Sequence, residues 1–88
     1  MRRRVVANAE VVAIEMEVPP GHRHLRTVLR LRDGEELVLQ EATVANLVRA
    51  YVTVKTHPQR SGIRLAGRAL EEGERKAGFA DWQLLEEE

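Results

Sequence analysis

The chain has 88 residues, enough for one hydrophobic core and too few for two. Apolar residues make up 43% of it and charged residues 32%, a balance that excludes a disordered chain. Fourteen basic against fourteen acidic residues leave no net charge to draw it to nucleic acid or membrane in bulk, and the absence of cysteine excludes disulfides, thiol nucleophiles and thiolate metal sites.

Residues 4–18 read as a first strand. Val5, Ala7, Ala9, Val11 and Ala13 alternate with more polar residues, and the apolar set then moves to Val12, Ile14, Met16 and Val18. Since strand side chains alternate with period two, this phase change near Val11–Val12 predicts a bulge or a bend. A straight strand of this length would span about 48 Å, against a radius of gyration near about 12 Å for a compact chain of this size. The expectation is that the strand bends or that a second subunit covers it. The basic start followed by Ala7-Asn8-Ala9 has the outline of a secretory signal, but Asn8 and Glu10 interrupt the apolar stretch that such a signal needs. No segment approaches a membrane span, so the expected location is cytoplasmic. The excess of Arg over Lys fits a heat-adapted or GC-rich source.

Pro19-Pro20-Gly21 stops the strand. Leu25, Thr27, Leu29 and Leu31 then alternate with Arg26, Val28 and Arg30, and Asp33-Gly34 signals a hairpin. A two-residue loop would set Arg30 against Leu37 and mix the faces. A three-residue loop of Arg32, Asp33 and Gly34 sets Leu29 against Leu37, Thr27 against Leu39, Val28 against Val38 and Arg30 against Glu36, and is the predicted one. Thr43 reads as the N-cap of a helix whose stripe is Val44, Leu47, Val48, Tyr51, Val52 and Lys55. His57-Pro58 ends that helix. Ile63, Leu65, Gly67 and Ala69 give a further strand, and residues 79–85 a last strand in preference to a helical turn.

The fold class expected for residues 1–88 is a single α+β domain. Its layout is β-β-β-α-β with an extra C-terminal strand: an antiparallel sheet of about four strands with one helix packed on its apolar face. This strand order is similar in layout to the small antitoxin domains of the HicB type, although no residue motif accompanies the likeness.

Two groups of side chains stand out. Arg26 and Arg30 lie opposite the leucine face, and Arg64 and Arg68 lie opposite Ile63 and Leu65; on one sheet these four would form a phosphate-binding, nucleic-acid-binding face. That face carries no aromatic on which bases stack, and glutamates are at hand to neutralise it. His22 and His24, two apart, would present both imidazoles on one side of an extended segment, with His57 as a third metal ligand. The run Pro20-Gly21-His22-Arg23-His24 resembles the metal motif of cupins over about twenty residues. It lacks the glutamate that should follow, where Thr27, Val28 and Leu29 stand, and the second histidine-bearing strand. His57 beside Thr56 has no orienting carboxylate in its spacing, phosphate loops are missing, and no acidic pair stands apart from the solvated ones. The residues therefore predict a non-enzyme without a cofactor: a small interaction or structural domain acting as a homodimer. Nucleic-acid binding through the arginines and metal binding at His-x-His remain as alternatives.

Overall fold

The computed structural model describes residues 2–78 and 80–87. It contains β1 (Val11–Glu17), β2 (Arg26–Leu31), β3 (Glu36–Gln40), α1 (Glu41–Thr56), β4 (Leu65–Ala69) and β5 (Trp82–Glu86). This is the expected α+β order, with the tail as a strand; Phe79, placed at its start by the sequence, lies outside the described residues. The strands form two antiparallel sheets, β1-β2-β3 and β4-β5. The single sheet of about four strands is thus divided, because β4 finds its ladder partner in β5. The chain separates into two compact units, one up to Val44 and one from Ala45.

In the first unit, the three-residue turn sets the register. Leu31 donates its N–H to Glu35 O at 2.9 Å, and Gly34 returns its own to Leu31 O at 3.0 Å. Gly34 sits at φ +93°, in the left-handed region that a Cβ disfavours. The Asp33 carboxylate accepts from Glu35 N at 2.9 Å. Leu29 then faces Leu37, Thr27 faces Leu39, Val28 faces Val38 and Arg30 faces Glu36, the pairing that side-chain matching demanded.

On the other side of β2, the β1 register breaks between Val11 and Ala13, where the phase change placed a bulge. Beyond it, Ile14 faces Leu29 and Met16 faces Thr27. The first strand itself is shorter than the alternation suggested. A 3-10 turn at Asn8–Glu10 precedes it, and Arg4 folds back to Asp33 at 3.3 Å and to Glu10 at 3.8 Å. Strand length therefore does not call for a second subunit. The helix also starts earlier than Thr43, directly after Gln40, with the acidic Glu41 in its first turn where the helix dipole favours a carboxylate.

In the second unit, α1 runs to Thr56 and stops before His57-Pro58 as expected. Thr53 and Thr56 donate their hydroxyls back to Arg49 O and Val52 O at 2.8 and 2.7 Å, satisfying the hydroxyls within the helix itself. Arg49 reaches Leu84 O on β5 at 3.2 Å. In the β4–β5 ribbon Ala69 faces Trp82 and Gly67 faces Leu84. The indole of Trp82 lies over Gly67 so closely that a Cβ there would sit 2.7–2.9 Å from the ring.

Very little of the chain is enclosed. Leu31, at 3% exposure, and Thr27, at 2%, are the buried side chains among the described residues. The helix stripe is not packed away as expected: Leu47, Val48, Tyr51 and Val52 are all exposed.

Two outcomes follow for stability. The Thr27 hydroxyl is buried without a hydrogen-bond partner, so Thr27→Val, which keeps the shape and removes the orphan, should raise stability by about 1 kcal/mol in urea denaturation. Gly67→Ala should push the largely exposed Trp82 ring off the strand at a cost of no more than about 1 kcal/mol. The same variant should shift the emission of Trp82, the only tryptophan, as the ring is displaced. An unchanged spectrum and midpoint would show that the ring has room to spare.

Candidate functional site

The polar face of the first sheet is built by register. Arg30 stands between Glu36 on β3 and Ala13 on β1, and the small Ala13 side chain leaves its guanidinium room to reach Glu15. Arg30 Nε donates to Glu15 and Nη1 to Glu36, forming a three-strand clasp. Both carboxylates raise the arginine's pKa, Glu15 more strongly. Arg26 stands between Glu17 and Gln40 on the same face, and Val28 and Val38 form the row between the two arginines.

Arg68 lies on β4 of the other sheet, and Arg64 immediately precedes that strand. Arg64 Nε pairs with Glu87 at 2.9 Å, both groups largely in solvent. Arg68 holds Glu74 bidentately at 2.9 and 2.8 Å, and Glu74 also accepts the backbone N–H of Glu71 at 3.0 Å. The four arginines singled out by sequence thus do not share one sheet: Arg26 and Arg30 lie on β2, Arg68 lies on β4 and Arg64 just before it, and Arg30, Arg64 and Arg68 each hold a carboxylate. Sequence reasoning paired Arg30 with Glu36 but missed Glu74, in the 3-10 turn Glu72–Glu74, and Glu87, just past β5, where no strand or helix periodicity predicts a partner.

The histidines are placed differently from the expectation. His22 and His24 lie in a turning segment rather than an extended one, with His22 N bonded to Pro19 O at 3.0 Å. His24 Nδ1 lies 2.9 Å from Glu41 Oε2 in the first turn of α1, a contact that spans 17 positions and left no local signal. His57 belongs to the second unit and accepts the backbone N–H of Gln59 at 3.3 Å. Among the described residues no three His, Asp or Glu side chains are grouped to hold a metal ion. A cleft of about 270 Å³ lined by Glu10, Leu31, Arg32 and Asp33 falls below the roughly 300–1,000 Å³ of small-molecule sites.

What the surface offers instead is apolar area. On β1, Val12, Ile14 and Met16 are exposed, Ile14 at 62%, and Val18 follows them. Register places Ile14 beside Leu29 and Leu37, and Met16 beside Thr27 and Leu39, so the β1 side chains extend a row of leucines to the sheet's edge. On α1, the stripe from Leu47 to Val52 is equally open, with Tyr51 at 66%. The sequence identified both sets as apolar faces and expected the helix stripe to pack on the sheet and β1 to bend or be covered by a second subunit; both sets are exposed.

Set against protein-family models, curated proteins and solved structures, the chain matches none. No helix among the described residues is long and apolar enough to cross a membrane.

The Arg68–Glu74 clasp gives a direct electrostatic test. Two guanidinium N–H groups, and secondarily the Glu71 amide, pull the Glu74 carboxyl from 4.5 to about 2. A depressed folded-state value stabilises the fold above the ordinary carboxylate range, and that contribution is lost as pH falls from about 4.5 toward about 2. By NMR titration, Glu74 should show a midpoint near about 2, and Arg68→Ala should raise it toward the ordinary Glu range, stopping short of it while the Glu71 amide still donates. An unmoved midpoint in that variant would assign the shift to the Glu71 amide.

Proposed function

We propose that this chain is a non-catalytic interaction domain that works as a homodimer. The observation that carries this reading is its surface. The chain exposes 7748 Å², whereas two separate compact bodies of about 5 kDa each would expose about 6,300 Å². The excess, roughly 1,400 Å² per chain, lies in the range that each partner of an obligate dimer contributes to an interface of about 2,000–5,000 Å² in total.

The chemistry of the excess supports the same reading. Val12, Ile14, Met16, Leu47, Val48, Tyr51 and Val52 are all exposed. A chain this short has few ways to compensate for so small a core, and without cysteine it has no disulfide to do so. A second copy is the one partner present wherever the chain is made, and it brings the same uncovered faces. The charged groups support a structural rather than a catalytic role. Arg4, Arg30, Arg68 and Glu74, whose pKa values are displaced, are all members of arginine–carboxylate pairs on the surface.

Light scattering on the full chain at micromolar concentration should give twice the 10.0 kDa chain mass. The thermal midpoint should rise with protein concentration, because association is coupled to folding. A monodisperse 10.0 kDa species with a concentration-independent midpoint would overturn the reading.

A further inference from the structure

The sheet order β1-β2-β3 leaves β1 at an edge, and among the described residues no strand is bonded to its outer side. Exposed edge strands are ordinarily guarded by a proline, a lysine or short length, because their unpaired N–H and C=O groups template pairing with another chain. β1 is seven residues long, VVAIEME, with no proline and no lysine; its bulge lies at the Val11 end and its charges are Glu15 and Glu17, so Val12–Met16 remains a regular edge. The opposite edge, β3, has five residues and runs straight into α1.

Resting on the homodimer reading above, we propose that the second copy adds to this edge. The two β1 strands pair antiparallel about a two-fold axis at Ile14 and join the two three-stranded sheets into one of six strands.

The register follows from charge and face. A two-fold axis normal to the sheet sets one residue of β1 against itself, since paired residues must share a face. With Glu15 at the axis, two carboxylates oppose each other directly. With Met16 there, Glu15 opposes Glu17 of the second copy twice over. Like charges directly opposite destabilise a ladder. With Ala13 there, Met16 opposes Glu10, which belongs to the 3-10 turn rather than the strand. With Ile14 at the axis, Ile14 meets itself, Val12 meets Met16 and Ala13 meets Glu15, each from the other copy.

That arrangement places apolar on apolar along one face and keeps the whole ladder, Val12 to Met16, on the strand side of the Val11 register break. On the other face, Glu15 lies beside Ala13 of the second copy. Arg30 stands across from Ala13 in each chain, so the Glu15 of one copy approaches the Arg30 of the other over a small side chain. The clasp that neutralises Arg30 within one chain thus continues across the junction, and the edge that carries two glutamates meets a complementary charge.

Because the chain has no cysteine, single cysteines report this geometry cleanly. Ile14→Cys in the full chain should form a disulfide-linked dimer under mild oxidation, since directly opposed residues lie within the roughly 4.4–6.8 Å that a disulfide spans. Val12→Cys alone and Met16→Cys alone should link at least about tenfold more slowly, because each is four residues from its own copy, about 13 Å along the ladder. An equimolar mixture of the two should link as the mixed pair. Circular dichroism verifies the fold of each variant; if Ile14→Cys does not fold, the mixed pair decides. A wild-type dimer with neither Ile14→Cys homodimer nor mixed pair would overturn this pairing and leave the homodimer reading intact. A wild-type monomer would overturn that reading itself.

Discussion

The register fixed at Arg32-Asp33-Gly34 is the constraint on which the first sheet depends. β2 is the shared strand, so each of its residues selects a partner on both sides at once: Leu29 takes Leu37 and Ile14, and Arg30 takes Glu36 and Ala13. With period-two alternation, a slip of one residue would move Arg30 among the leucines and Leu29 into water. Several interactions hold the turn that prevents it. Gly34 takes up the left-handed conformation, Asp33 accepts the Glu35 amide, and Arg4 closes over Asp33 and Glu35 from outside.

The consequence is a sheet with two unlike faces. On one, Arg30 is clasped by Glu15 and Glu36 from the strands on either side, and the row between Arg26 and Arg30 is apolar. On the other, aliphatic side chains run from β3 through β2 to the open edge of β1, and only Thr27 and Leu31 are closed off from solvent. Hydrophobic burial is the dominant favourable term in folding, and one chain realises only a small part of what its composition contains. Arg30 is matched within the sheet, whereas Val12, Ile14 and Met16 at its open edge stay exposed.

Much of the local architecture was legible in the residues. The hairpin register followed from pairing like faces, the bulge from the shift between Val11 and Val12, and the end of α1 from His57-Pro58. In each case the determining chemistry lies within a few residues of its effect. The division into two sheets was not legible, because the alternation of 65–69 states that a strand exists but not which strand it joins. The start of α1 was misplaced at Thr43, since a good capping residue and the first turn of a helix look alike when the preceding strand runs directly into it. At the candidate sites, the residue types were found but not their partners. Glu74, in a 3-10 turn, and Glu87, just past β5, pair with arginines, and His24 meets Glu41 across a whole hairpin.

The close stack of Trp82 on Gly67 ties two positions of the chain together. Without a side chain at 67 the ring can lie flat on the β4–β5 ribbon, so an indole that is largely open to solvent still covers backbone. Residue 67 thus sets where the ring at 82 rests rather than whether the ribbon forms.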